Sequence, residues 1–113
     1  MSRLMSFSLT TDAIRSRCKT VTRRVGWQFL KAGDTVTACE KCMGLKRGEK
    51  VRRLAELRIL SVTRELLCAL DQRECDLEGF PEMTPREFVR MFCEANKGVL
   101  PTDPVTRIEF EYV

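Results

Sequence analysis

The chain has 113 residues, of which 43% are apolar and 32% are charged, so its composition favours one folded domain over a disordered chain. No apolar run approaches the ~20 residues that cross a bilayer, and the N-terminal segment lacks the long apolar core of a signal peptide. These features predict a cytoplasmic protein without a membrane partner, whose six cysteines are reduced thiols.

Basic and acidic residues are concentrated in different halves of the chain. Residues 1–64 contain 15 Lys and Arg against 5 Asp and Glu, whereas residues 65–113 contain 5 against 11. A basic half indicates an anionic partner such as RNA or a nucleotide. The alternative is that the two halves neutralise each other across the fold, and composition alone leaves both interpretations open.

The first half of the chain predicts three strands and one short helix. Alternating apolar residues predict a strand at 4–9, and a capping sequence of Thr and Asp precedes a short helix at 13–17. Further strands are predicted at 20–25 and 35–42, because both segments are rich in Thr and Val and a turn at 31–34 lies between them.

The second half predicts two more strands and one well-defined helix. Alternation predicts strands at 54–64 and 105–113, and the segment after the first of these predicts a short helix at 65–70. Thr84, with Glu87 three residues later, has the sequence of a capping box, so the clearest helix begins there. Together these elements favour a mostly β, α+β fold: a small, partly closed β-barrel of five to six strands with two or three short helices.

The segment 19–24 carries the most concentrated polar chemistry of the chain. In a regular strand Thr20, Thr22 and Arg24 share one face, which favours the floor of a polar pocket; the alternative is a solvated edge strand. Lys19 precedes Thr22 by three residues, which places the two on opposite faces of a regular strand. Both therefore reach one site only if Lys19 lies at the corner before the strand or a bulge intervenes.

A glycine-bounded basic hairpin tip is predicted at 43–50. The basic residues in and after it are Lys46, Arg47, Lys50, Arg52 and Arg53. An exposed basic hairpin can bind RNA phosphates, and it can equally be a solvated loop that keeps a sheet edge from aggregating.

Cys39 and Cys42 have the two-residue spacing of a metal or redox pair. A structural zinc site needs four ligands, however, and the sequence has no His and no second such pair among its cysteines. In a strand the two side chains also point to opposite faces. We therefore predict no metal site and free thiols that act as small buried hydrophobic groups.

Four segments resemble the motifs of the ASCH domain family, which belongs to the PUA-like superfold of small β-barrels associated with RNA. They are Lys-Thr-Val-Thr-Arg-Arg at 19–24, Gly-Trp-Gln-Phe-Leu-Lys-Ala-Gly-Asp at 26–34, Glu-Gly-Phe at 78–80 and Ile-Glu-Phe at 108–110. The resemblance covers residues 7–112 and implies that 1–113 is a single domain with the PUA-like fold. The chain resembles small stand-alone ASCH proteins, including bacteriophage ones, and among members with a known activity it resembles the bacterial N4-acetylcytidine amidohydrolase.

This resemblance implies an active site without a metal or other cofactor. The amidohydrolase uses a Lys, a Thr and a Glu, which correspond to Lys19, Thr22 and Glu78, with Glu82 as a rival for the carboxylate. The residues predicted to contact the substrate are Thr20, Arg23, Arg24 and Trp27, although a buried core position is an alternative for the tryptophan. The expected partner is a nucleoside or RNA, without sequence-specific binding of DNA.

Elementary chemistry agrees with these roles. A Thr hydroxyl needs an adjacent base to become a nucleophile, and the like charges around Lys19 favour the neutral amine that could act as that base. Apolar neighbours of Glu78 would favour a protonated carboxyl that shuttles protons, and Arg24 could stabilise an oxyanion. Two functions remain open: an amidohydrolase acting on a modified cytidine or similar nucleoside, and a non-catalytic RNA-binding module that uses the pocket and the basic hairpin.

Overall fold

A computed structural model describes residues 3–42 and 46–113 of the chain. In these residues the strands are β1 (Arg3–Ser6), β2 (Val21–Arg24), β3 (Thr35–Cys39), β4 (Arg53–Leu66) and β5 (Pro104–Tyr112). The helices are α1 (Thr11–Arg15), α2 (Gln72–Leu77) and α3 (Pro85–Ala95), with a 3₁₀ turn at Leu67–Ala69. None of the described helices is long and apolar enough to cross a membrane.

The strands form one curled, half-barrel sheet in the order β1-β3-β4-β5-β2. β1 pairs with β3 in parallel, and all the other pairs are antiparallel. The register of β4 against β5 shifts between Ile59 and Ser61, and such an extra residue bends a strand and helps a sheet to curl. The predicted mostly β, α+β fold with a small PUA-like barrel is therefore confirmed, with five strands and three helices in the described residues.

The buried apolar residues form two separate cores. The main core fills the curl of the sheet and includes Met5, Phe7, Ile14, Leu57, Ile59, Ile108 and Phe110. The second core packs α3 against the 3₁₀ turn and the start of β5, and includes Leu67, Leu70, Phe88, Phe92 and Val105. A space is left between the two cores, and the candidate site occupies it.

Helix α3 begins as the sequence predicted. The Glu87 backbone N–H donates to Thr84 Oγ1 at 3.2 Å, and the Thr84 N–H donates to Glu87 Oε1 at 2.9 Å. This reciprocal pair satisfies two backbone donors that a helix start otherwise leaves open. Phe88 and Phe92 then fall on the buried face, four residues apart.

The helix predicted at 65–70 is present only as the 3₁₀ turn at Leu67–Ala69. β4 continues through Leu66, because Glu65 and Leu66 pair with Val105 and Pro104 of β5. Hydrogen-bonding partners that are distant in sequence thus override the local pattern. The helix of this region, α2, begins later, and its N-cap Asp71 accepts a hydrogen bond from the Glu74 N–H at 3.0 Å.

Two strands of the first half are shorter than predicted. β1 ends at Ser6 instead of residue 9, so Met5 and Phe7 are buried while Leu9 is exposed. β3 likewise ends at Cys39 instead of residue 42. The tip of the predicted basic hairpin, Met43–Leu45, lies outside the described residues.

The prediction that Cys39 and Cys42 point apart as free thiols is wrong. The structure joins them in a disulfide, with their Cα atoms 6.4 Å apart. Side chains alternate only within a strand, and β3 ends at Cys39, so Cys42 can turn back toward it. Of the free cysteines, Cys75 is buried, whereas Cys18 and Cys68 are exposed, contrary to the predicted burial. No three His, Cys, Asp or Glu side chains of the described chain are arranged to hold a metal ion.

Candidate functional site

A cavity of about 320 Å³ opens between the two cores. Its polar wall includes Lys19, Thr22, Arg23, Arg24 and Glu78, and its aromatic lining consists of Phe7, Trp27, Phe80, Phe88 and Phe92. Four of the polar residues are almost fully buried, whereas Leu9 and Val25 at the rim are exposed. The cavity therefore combines a buried polar wall with an apolar opening, as small-molecule sites commonly do.

Lys19 and Thr22 line the same cavity because Lys19 precedes the strand. β2 begins at Val21, so the alternation of side chains does not apply to Lys19, which lies at the corner after α1. The Tyr112 hydroxyl donates to the Lys19 carbonyl at 2.6 Å and anchors this corner to β5. Of the two solutions that the sequence left open, the structure has the corner.

Lys19 and Glu78 form a buried ion pair. The Lys19 Nζ donates to Glu78 Oε1 at 2.8 Å and to the Glu78 carbonyl at 2.5 Å, and both side chains are 3% exposed. Glu78 is the C-cap of α2, and Gly79 turns the chain there with φ +93°. A Cβ on Gly79 would lie 2.9 Å from the Ala13 Cβ, so glycine is required both for the turn and for this close approach.

The other oxygen of Glu78 is held by Arg23. Arg23 Nη1 donates to Glu78 Oε2 at 3.1 Å, while its Nη2 donates to Glu65 at 2.5 Å and to Glu74 at 2.7 Å. Glu74 in turn accepts from Arg107 Nε at 2.6 Å. We call these five residues, together with Lys19, the ion-pair network.

The apolar surroundings predicted for Glu78 are therefore wrong. Both of its carboxylate oxygens accept hydrogen bonds from cationic side chains instead. The sequence suggested otherwise because Leu77 and Phe80 are the apolar residues nearest to it along the chain, whereas Lys19 and Arg23 come from 59 and 55 residues away.

Arg24 is a cation of the cavity that does not belong to the ion-pair network. Its Nε donates to Thr22 Oγ1 at 3.1 Å, and its guanidinium lies 4.6 Å from the centre of the Phe7 ring. It forms no ion pair with any described residue, and burial lowers its pKa to about 10, with partial opposition from Glu78. The cavity thus contains a positive charge ready to meet an anionic or electron-rich group.

Burial has the largest effect on Lys19. It lowers the pKa of the amine, the carboxylate of Glu78 opposes this effect, and the nearby charges of Arg24 and Arg23 lower the pKa further. A lowered pKa makes the neutral amine more accessible near neutral pH, which is the form that accepts a proton.

The predicted substrate contacts have different outcomes. Trp27 lines the cavity and also packs on the main core, so both interpretations of this residue describe part of its position.

Thr20 is not among the residues that line the cavity; its backbone N–H donates to the Leu77 carbonyl at 3.0 Å instead. The Arg23 side chain is 0% exposed and its terminal nitrogens are occupied by carboxylates, whereas its Nε has no hydrogen-bond partner among the described residues, so a contact between Arg23 and a ligand stays a prediction. Glu82 is exposed and away from the cavity, which leaves Glu78 as the carboxylate of the site.

The basic residues after the hairpin tip remain separate from the cavity. Lys46, Arg47, Lys50, Arg52 and Arg53 are all exposed, and none of them lines the cavity. Any part that these residues play in binding therefore concerns a second surface.

Sequence reasoning missed three members of the ion-pair network and the tyrosine behind Lys19. Glu74 and Glu78 are four residues apart, a spacing that places them on one side of α2, and this signal was present in the sequence. Glu65, Arg107 and Tyr112 carry no comparable local signal, because they reach the site from strands that pair far along the chain.

Comparisons with solved structures identify the fold. No protein-family model matches the sequence, and no curated protein matches it either. Among solved structures, protein EF3133 from Enterococcus faecalis V583, assigned to the DUF984 family model, superposes with a TM-score of 0.71 at 20% identity, over 100% of this chain and 80% of that one. An ASCH domain from Lactobacillus crispatus JV V101 superposes with a TM-score of 0.65 at 12% identity, over 97% of this chain and 78% of that one. The chain therefore has the fold of an ASCH domain, as the resemblance in its sequence indicated.

Proposed function

We propose that the protein is an amidohydrolase that removes the acetyl group from N4-acetylcytidine or a similar acylated nucleoside. One observation carries the proposal: a buried lysine paired with a carboxylate lines the same cavity as a threonine hydroxyl. A desolvated lysine is a general base, and a threonine beside it is a nucleophile once that base removes its proton.

In the first step the Thr22 oxygen attacks the acetyl carbonyl carbon while the Lys19 amine takes the hydroxyl proton. Arg24 stabilises the negative charge that develops on the carbonyl oxygen, since it already donates to Thr22 and lacks a carboxylate partner among the described residues. The C–N bond then breaks, and the Lys19 ammonium returns the proton to the departing N4 amino group. The products of this step are cytidine and an acetyl ester on Thr22.

In the second step water hydrolyses the ester. Lys19 accepts a proton from the attacking water, and the Thr22 oxygen leaves and recovers a proton, which releases acetate and restores the free hydroxyl. Glu78 holds the Lys19 Nζ in place through both steps, because its Oε1 and its carbonyl each accept from that nitrogen. The aromatic lining, including Trp27, provides flat apolar surfaces against which a nucleobase can stack.

The test is to incubate the purified protein with N4-acetylcytidine and to follow cytidine and acetate by chromatography. Wild-type protein should release both in equal amounts, and Lys19→Ala should lose turnover while retaining the wild-type circular dichroism spectrum. Glu82→Gln is the matched control, because that residue is exposed and lies outside the cavity, and it should keep full activity. Full turnover by Lys19→Ala would refute the catalytic assignment.

A second function is favoured by the exposed basic residues. Lys46, Arg47, Lys50, Arg52 and Arg53 form no ion pair with a described residue, and such a surface suits a phosphate backbone. A non-catalytic RNA-binding module would lose affinity steeply as salt increases, whereas a neutral nucleoside in the cavity would bind almost independently of salt. Measuring both affinities over a range of salt concentrations separates the two functions.

A further inference from the structure

We propose that Arg23 is a positioning residue that holds the Glu78 carboxylate against Lys19, and that the ion-pair network behind it keeps Arg23 in place. This inference rests on the proposed function, in which Lys19 is the base. It differs from the expectation drawn from the sequence, which gave Arg23 a contact with the substrate.

The first argument is that each carboxylate oxygen of Glu78 accepts a hydrogen bond from a different cation. Lys19 takes Oε1 at 2.8 Å and Arg23 takes Oε2 at 3.1 Å, so the carboxylate has little freedom to rotate about its last bond. A carboxylate bound on one oxygen alone could swing away and carry the Lys19 amine with it. Catalysis is sensitive to such movement, because a displacement of ~1 Å at a reacting group can cost about 100-fold in rate.

The second argument is that carboxylates from β4 and α2 hold Arg23, and that β5 in turn holds one of these carboxylates. Its Nη2 contacts Glu65 of β4 and Glu74 of α2, and Arg107 of β5 holds Glu74 through its Nε at 2.6 Å and its Nη2 at 3.2 Å. The Arg23 side chain is 0% exposed. Its position is therefore set by the fold and not by solvent.

Charge balance is the third argument. The ion-pair network contains three cations, Lys19, Arg23 and Arg107, and three carboxylates, Glu65, Glu74 and Glu78. Removal of Arg23 would leave the carboxylates in excess next to Lys19 and would favour the ammonium over the amine. The planar fork of an arginine is needed here, since a lysine carries one charge centre and cannot reach three carboxylates at once.

The groups that face the catalytic pair define the expected pH response. Glu78, Arg23 and Arg24 act on the Lys19 amine, and the thiol of Cys75 lies on α2 beside Glu78. Among these groups, Arg23 is the one whose charge can be removed without touching the cavity contacts of Arg24 and Thr22.

The experiment compares Arg23→Met and Arg23→Lys with the control Arg58→Met, whose arginine pairs with Glu111 on the exposed side of the sheet. For Arg23→Met we expect kcat to fall about 10- to 100-fold with KM nearly unchanged, and the pH profile of kcat to move to higher pH. Arg23→Lys keeps the positive charge, so its pH profile should match that of wild type, but its kcat should remain below the wild-type value. Arg58→Met should match wild type.

An NMR titration of isotope-labelled Lys19 provides a readout that does not depend on turnover. The Lys19 pKa should rise in Arg23→Met relative to wild type and to Arg58→Met. An unchanged Lys19 titration and an unchanged pH profile would overturn the inference. If wild-type protein shows no turnover, the proposed function fails. The NMR titration still decides whether Arg23 lowers the pKa of Lys19. If Arg23→Met does not fold, the Arg23→Lys variant decides. A wild-type kcat for Arg23→Lys refutes the positioning role, whereas a reduced kcat with a wild-type pH profile supports it.

Discussion

Replacing Glu74 by Gln tests the ion-pair network through the acid stability of the protein. Hydrogen bonds from Arg107 lower the pKa of Glu74 from 4.5 to about 2; burial opposes this effect, and Arg23 adds to it. At ~1.4 kcal/mol per pKa unit, this interval corresponds to about 3 kcal/mol of unfolding free energy. The side chain is 17% exposed and only partly desolvated, so solvent screening reduces this energy and about 3 kcal/mol is its upper value.

The sign of the effect follows from proton linkage. A carboxyl whose pKa is lower in the folded state contributes its full stability above pH 4.5, and the contribution disappears as the pH falls from 4.5 to about 2. Wild-type protein should therefore lose up to about 3 kcal/mol more than Glu74→Gln over this range, because the variant has no proton to bind at that position. The variant should also be less stable at pH 7, since Arg107 and Arg23 lose a shared partner.

Urea unfolding at a series of pH values between 2.5 and 7 measures this difference. Glu82→Gln is the matched control, because it removes the charge of an exposed glutamate outside the ion-pair network, and its stability should follow wild type at every pH. Parallel pH curves for wild type and Glu74→Gln would refute the reasoning, because they would mean that Glu74 binds its proton equally well in the folded and unfolded chain.

Two further predictions concern the residues that shape the corner at Lys19. Gly79→Ala should lower the free energy of unfolding by about 1–3 kcal/mol, because the φ of +93° is strained for alanine and its Cβ would lie 2.9 Å from the Ala13 Cβ; an unchanged urea midpoint would contradict this. Tyr112→Phe should cost about 1 kcal/mol by removing the hydrogen bond to the Lys19 carbonyl. Tyr112 is the single tyrosine of the chain, and burial raises its pKa to about 12, so an absorbance titration that shows ionisation near pH 10 would argue against the buried contact.

The charge asymmetry of the sequence is explained in part by the ion-pair network. Lys19 and Arg23 belong to the basic half of the chain, and their partners Glu65, Glu74 and Glu78 belong to the acidic half. The interpretation that the two halves neutralise each other therefore holds for these charges. The basic residues after the hairpin tip are exposed, and an anionic partner for them stays a prediction.

Features that depend on neighbours along the chain were predictable. The capping box of Thr84 and Glu87 and the buried alternation of Ile108 and Phe110 in β5 were both read from spacing alone, because the groups involved lie within a few residues of one another. The same reasoning failed at Cys42, where it assumed that β3 continued past Cys39.

By itself, the sequence determined the barrel-like fold class, the chief helix and the identity of the polar residues at 19–24. Only the tertiary structure decided how those residues are used: that Lys19 meets Glu78, that Arg23 turns to the carboxylates, and that Arg24 stays free of a described carboxylate. The physical reason is distance along the chain. An ion pair between residues 59 positions apart depends on how the strands close the half-barrel and where α2 packs on it, and no local pattern encodes that closure.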